Sequence, residues 1–79
     1  MYFVYSIKSF SQRNYIYVGL TNNLERRLKQ HNAGRGRSTK PYRPFELLCA
    51  EQFATRAEAR KREKYLKSGA GKEYLKSLS

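Results

Sequence analysis

The sequence predicts an α+β fold of order β-β-α-β-α-α, and three observations predict it. Apolar and polar residues alternate over Tyr2–Ser9, Tyr15–Leu20 and Phe45–Phe53, as they do in strands with two unlike faces. Apolar residues recur at helical spacing after Asn22 and after Thr55, each of which stands three residues before a glutamate. Glycines and prolines collect between these segments and are sparse within them.

The first two strands form a hairpin across Phe10–Asn14, a stretch with no apolar period. With the turn centred near Ser11, Tyr5 and Tyr17 become directly opposed neighbours on one sheet face. The first helix is expected from about Asn23 to His31, ended by Asn32-Ala33-Gly34. At about 100° per residue from Leu24, Leu28 falls near 40°, His31 near 340°, Arg27 near 300° and Arg26 near 200°. Arg27 and His31 thus border the buried stripe, and Arg26 faces solvent. Residues 33–44 read as a basic loop in which Arg35, Arg37, Lys40 and Arg43 are candidate phosphate donors, supplemented by Ser38 and Thr39. The alternative is a surface connection whose charges only solvate it. A third strand follows, with Cys49 as a small core residue.

The second helix is expected from Thr55 to about Ser68, stopped by Gly69 and Gly71. Measured from Ala59, Glu63 lies at about 40° and Leu66 at about 340°, so a carboxylate sits within the apolar stripe, whereas Glu58 lies off it. Burying an ionised carboxylate is costly unless it is paired or coordinated. Glu63 therefore points either to a functional role or to a salt bridge with a nearby arginine. A last helical turn, Lys72–Leu78, is expected to dock Leu75 and Leu78 on the core.

At 79 residues the chain is expected to be one domain, 1–79, with a thin core. One cysteine leaves no disulfide framework within the chain, which suits a cytoplasmic protein, and one histidine leaves no recognisable zinc site. Neither a membrane-spanning run nor a signal-peptide layout is expected. The net charge of +11 makes a polyanion the expected partner, because each neutralised phosphate releases counterions. The glycines of the basic loop lack the spacing of a nucleotide-binding P-loop.

Brought together, Tyr5, Tyr17, Arg27, His31 and Glu63 suit phosphodiester hydrolysis. A carboxylate can hold a divalent metal that keeps most of its shell as water. A guanidinium fits a phosphate bidentately and offsets the charge of the transition state. A tyrosine acts as a base only where a cation favours its phenolate, and a histidine can hold or relay the proton. Singly, paired sheet tyrosines are as readily packing, and a histidine at a helix end is as readily a cap.

In order and spacing these residues resemble the GIY-YIG nucleases, and most of all their short single-domain bacterial members. The resemblance rests on Phe3-Val4-Tyr5, Tyr17-Val18-Gly19, the run from Asn23 to Asn32, Gly34-Arg35-Gly36, Arg43-Pro44 and Lys61-Arg62-Glu63-Lys64, and it covers nearly the whole chain. It implies a three-stranded antiparallel sheet flanked by helices and a nuclease dependent on Mg²⁺ or Mn²⁺. By position it makes Tyr5 and Tyr17 the motif tyrosines, Gly19 the motif glycine, Arg27 the arginine, His31 the His/Tyr position and Glu63 the metal ligand. The sequence departs from the pattern at Phe3, where the motif has glycine, at Val4 and Val18, and in having no asparagine after Asn32.

The resulting expectation is a metal-dependent endonuclease acting on DNA, with RNA left open, as a monomer whose binding weakens steeply with salt. The rival is a nucleic-acid-binding module on the same scaffold without hydrolysis. A membrane-surface role is disfavoured because the apolar stripes are narrow and needed for the core.

Overall fold

Tyr2–Ser9 is the segment richest in buried residues, and it forms the central strand, β1, of a computed structural model describing residues 1–79. β2 (Ile16–Thr21) and β3 (Phe45–Phe53) pair with it antiparallel on either side, giving the order β2-β1-β3. The helices are α1 (Leu24–Asn32), α2 (Arg56–Leu66) and α3 (Gly69–Leu78), and a 3₁₀ turn spans Lys40–Tyr42. The three-stranded antiparallel sheet flanked by helices and the β-β-α-β-α-α order are thus as expected.

The hairpin register differs from expectation by two residues. Tyr5 lies opposite Gly19, and Tyr17 lies opposite Ile7, so the tyrosines are diagonal neighbours on one face. The cause is the turn. The Ser9 hydroxyl accepts hydrogen bonds from the Ser11 and Gln12 amides at 3.1 and 3.0 Å, and Asn14 takes a left-handed conformation with φ 68°. Asparagine tolerates that conformation well. The centre of the turn is therefore Gln12 rather than Ser11, and Ser9 pairs with Tyr15.

A bulge in β3 changes the facing of that strand as well. Ile7 is opposite Leu47 but Ser6 is opposite Cys49, leaving Leu48 as the extra residue. Strict alternation had Phe45, Leu47 and Cys49 sharing a face. Instead Phe45 joins Tyr5 and Ile7, while Leu48 packs with the opposite core and Cys49 is only half-buried.

Two small cores result, one on each face of the sheet. Val4 and Val18 meet Ala59, Leu66 and Leu75 of α2 and α3 on one side. Tyr5, Ile7 and Phe45 meet Leu24 and Leu28 of α1 on the other. The helix ends explain these placements. Asn23, not Asn22, caps α1 through a 3.1 Å bond from the Arg26 amide, and Thr55 caps α2 by accepting from the Glu58 amide.

The last helix corrects the reading of Gly69 and Gly71 as stops. α2 ends at Leu66, Ser68 caps a new ten-residue helix through the Gly71 amide, and both glycines lie inside that helix. A Cβ on Gly71 would stand 2.2 Å from the Tyr65 carbonyl oxygen, so glycine lets α3 turn tightly against the end of α2. Leu75 is buried as expected, but Leu78 is 43% exposed and does not dock.

Candidate active site

α1 lies over the tyrosine-bearing face, where the wheel's preference for Arg27 and His31 becomes visible in burial. His31 is fully buried, Arg27 is half-buried and Arg26 is exposed. Tyr5 reaches under the helix, and its hydroxyl lies 2.8 Å from His31 Nε2. The Tyr5 and Tyr17 rings are 6.4 Å apart, and both flank His31, at 5.9 and 5.1 Å between ring centres.

Gly19 is the condition for this arrangement. Tyr5 lies across it, and a Cβ at position 19 would fall 2.5 Å from the phenol oxygen. The glycine is required here for space, since its backbone is ordinary extended strand.

The hydrogen bonds continue inward from His31. Its Nδ1 is 3.0 Å from Thr39 Oγ1, and the Thr39 hydroxyl donates to the Gly36 carbonyl at 3.4 Å. A hydroxyl has one proton to donate. With that proton on Gly36, Thr39 accepts from Nδ1–H, which leaves Nε2 as the acceptor for the Tyr5 hydroxyl. Tyr5, His31 and Thr39 are each only 1% exposed, so the chain of bonds satisfies three buried polar groups at once.

Burial sets the protonation of the pair. It pushes the Tyr5 phenol above its ordinary value of 10.0; the adjacent Arg27 guanidinium opposes that shift, and Tyr17 and Glu63 add to it. Burial also pulls His31 below 6.5, helped by the positive charge of Arg27. At neutral pH the pair is a neutral phenol donating to a neutral imidazole. Arg27 itself donates to Gln30 Oε1 at 3.0 Å.

Glu63 comes from the other face of the sheet. α1 and α2 do not share the tyrosine face, yet the Glu63 carboxylate stands near enough for its charge to act on Tyr5. Its side chain is 15% exposed, and it is paired with Lys67 Nζ at 3.2 Å. The salt-bridge alternative is thus present, with a lysine from the next helical turn in place of an arginine. No three His, Cys, Asp or Glu side chains come together, so an all-protein metal cage does not fit this donor set. One carboxylate does fit Mg²⁺ or Mn²⁺, whose remaining ligands are water and substrate phosphate.

Among the basic-loop residues, Arg35, Arg37 and Lys40 are exposed and no carboxylate pairs with them. Arg43 is partly committed: its guanidinium folds over Gly34 (φ 79°) and donates to the Ala33 carbonyl at 3.2 Å. Thr39, expected among the phosphate donors, is buried on His31 instead. Phe3 faces the same side as Tyr5, between Thr21 and Gln52 of the neighbouring strands.

Three residues that build the site have structural roles that the sequence did not assign to them. Besides Thr39, Gly36 leaves room for it, since a Cβ there would meet Thr39 Oγ1 at 2.4 Å. Asn32 stitches the end of α1 to β3, accepting from the Phe45 amide at 2.6 Å and donating to its carbonyl at 3.3 Å. Glycines between arginines and an asparagine at a helix end were the available signals, and they read equally well as loop punctuation.

A β1–β2 hairpin bearing Tyr5, Tyr17 and Gly19, a first helix bearing Arg27 and His31 and a second helix bearing Glu63 follow one another in the order of a GIY-YIG domain. The pattern of the GIY-YIG catalytic domain matches residues 1–75, and the chain belongs to that family. Within it the chain groups with the short bacterial UPF0213 proteins. It is 37% identical over 78 residues to UPF0213 protein SH2523 of Staphylococcus haemolyticus, covering 98% of this chain and 93% of that protein. It is 45% identical over 67 residues to UPF0213 protein YazA of Bacillus subtilis, covering 84% of this chain and 66% of that one. The solution NMR structure of UPF0213 protein BH0048 from Bacillus halodurans matches with a TM-score of 0.57 at 32% identity, covering 100% of this chain and 86% of that chain.

Proposed function

We propose that the protein is an endonuclease that hydrolyses DNA phosphodiester bonds with Mg²⁺ or Mn²⁺. The observation that carries the reading is the convergence of Tyr5, Tyr17, Arg27 and His31 on one face, with a buried phenol–imidazole hydrogen bond at its centre. Burying two polar rings costs stability that an apolar pair would not, which favours a chemical role over packing.

In this reading Glu63 holds the metal, which when bound would offset charge on a non-bridging phosphate oxygen. Arg27 pairs with the phosphate and stabilises the charge that builds in the transition state. Tyr17, the more accessible tyrosine, positions the attacking water. Tyr5 stays a neutral phenol, because its raised pKa disfavours the phenolate, and its hydroxyl donates to His31 Nε2, the one path for proton movement inward. Arg35, Arg37, Lys40 and Arg43 contribute phosphate contacts that carry no base information.

The rival is a binding module on the same scaffold, favoured by the Glu63–Lys67 pair, which already neutralises the carboxylate. Lys67 is 54% exposed, so that pair is weak and readily exchanged. The two readings separate when plasmid, branched and single-stranded DNA are incubated with Mg²⁺, Mn²⁺ or EDTA. Metal-dependent cleavage that Glu63→Ala abolishes while binding persists is the expected result. Cleavage unchanged by Glu63→Ala, or no cleavage by the parent chain with either metal, overturns the nuclease reading.

A further inference from the structure

α3 packs against α2 and reaches the sheet through Leu75, and a cavity of about 410 Å³ opens between it and edge strand β2. Its floor is apolar, formed by Ile16, Val18, Leu66 and Leu75, and Tyr17 of the candidate active site forms part of its wall. A second cavity, of about 490 Å³, shares Asn14, Tyr15, Ile16 and Lys76 with the first and continues along the hairpin to Phe10 and Arg13. The two are therefore one groove along the free edge of β2, on the side of the sheet covered by α2 and α3, with Tyr17 at its border.

The charge of this groove is of one sign. Lys67, Lys72 and Lys76 rim the first part, Lys8 and Arg13 the second, and no aspartate or glutamate side chain lines either. Lys67 and Lys8 are paired with Glu63 and Glu46 at 3.2 and 3.4 Å, the pair joining Lys76 to Glu73 is 3.9 Å long and exposed, and Lys72 and Arg13 have no ion pair. Phe10, at the far end, is 62% exposed, an apolar ring left in water among cations.

We propose that this groove holds an unpaired DNA strand, with phosphates on the lysine rim and bases against the apolar floor and Phe10. A duplex hides the faces of its bases, whereas an unpaired strand offers them to aromatic and aliphatic side chains. The strand is taken as DNA because the inference rests on the DNA-nuclease reading, and preference for RNA is the competing outcome of the test. The inference rests on the nuclease reading and deepens it by naming the structural class of its substrate: Tyr17, at the border of the groove, is shared with the candidate site.

The test is fluorescence anisotropy with a labelled oligothymidylate and a labelled DNA hairpin duplex, in EDTA so that nothing is cleaved. Lys72→Gln/Lys76→Gln and Phe10→Ala are compared with the parent chain and with Arg35→Gln/Arg37→Gln, after thermal melts establish that each variant folds. The lysine pair is expected to weaken oligothymidylate binding about tenfold and to lower its salt slope by about 1.4, the value for two lost single-strand phosphate contacts. Phe10→Ala is expected to weaken the oligothymidylate several-fold and leave the duplex unchanged.

Oligothymidylate affinity untouched by both groove variants, an equal loss on the duplex, or tighter binding of the matching oligouridylate overturns the proposal. Because binding is read without hydrolysis, failure of the groove and failure of the nuclease reading are distinct outcomes. A chain that binds as described but cleaves nothing loses only the nuclease reading, and a chain that cleaves but ignores the groove variants loses only this one.

Discussion

Thr39 shows how much of the candidate site rests on a residue that touches no substrate. Its hydroxyl gives its one proton to Gly36 and takes the Nδ1 proton of His31, which fixes the imidazole tautomer and makes Nε2 the acceptor for Tyr5. Thr39→Val keeps the shape and loses both bonds, leaving Nδ1–H buried without a partner at a cost of about 1–3 kcal/mol. The expected outcome is a mixture of His31 tautomers in ¹⁵N NMR and a fall in cleavage rate, both restored by Thr39→Ser. A single unchanged tautomer in Thr39→Val would refute this role. The sequence showed His31 because helical spacing put it beside the apolar stripe, but nothing local marks Thr39: its burial is decided by the path of the whole loop from Gly34 to Tyr42.

Among the elements, the helices were legible where a cap and a period coincided. Thr55 and Glu58 marked the start of α2, and Glu63 was found because the α2 wheel has only a narrow apolar face. The last helix was misread because glycine is a poor helix former and two of them near the start of α3 look like a stop. Their use is steric, as Gly71→Ala would reveal. A methyl group 2.2 Å from backbone cannot be relieved by a side-chain rotation, so the predicted destabilisation is about 2 kcal/mol or more in urea unfolding. Gly69→Ala meets nothing within 4 Å and is expected to be neutral or stabilising. Strand registers were less legible still. Alternation fixed which residues share a face, but the hairpin slipped by two through the Ser9–Asn14 turn and β3 changed facing at Leu48, both long-range outcomes of pairing with β1.

At the scale of the molecule, the sheet divides 79 residues into two thin cores, and the site-bearing one includes a buried histidine. His31 is the only histidine, and its folded pKa lies below its unfolded value of 6.5. The fold therefore prefers the neutral ring. The stability tied to it is complete above that value and is lost as the pH falls below it toward the lower folded pKa. Urea unfolding at pH about 7.5 and about 5 is expected to show a loss in the parent chain that His31→Gln largely removes; equal losses in both would refute it. Charge and fold order were plain in the sequence, whereas the separation of α1 from α2 by the sheet was not. Helical wheels report which face is buried but not which side of a sheet buries it.

The placement of Tyr5 across Gly19 has a consequence for how such chains can change. The two tripeptides that give the family its pattern are, here, two ends of one contact: the phenol occupies the volume that a side chain at 19 would need. Neither position can drift alone. A larger residue at 19 evicts the ring and breaks its bond to His31, while loss of the ring at 5 leaves a hole that a side chain at 19 is placed to fill. Exchanging either the tyrosine or the glycine alone therefore alters the interior of the fold as well as the motif.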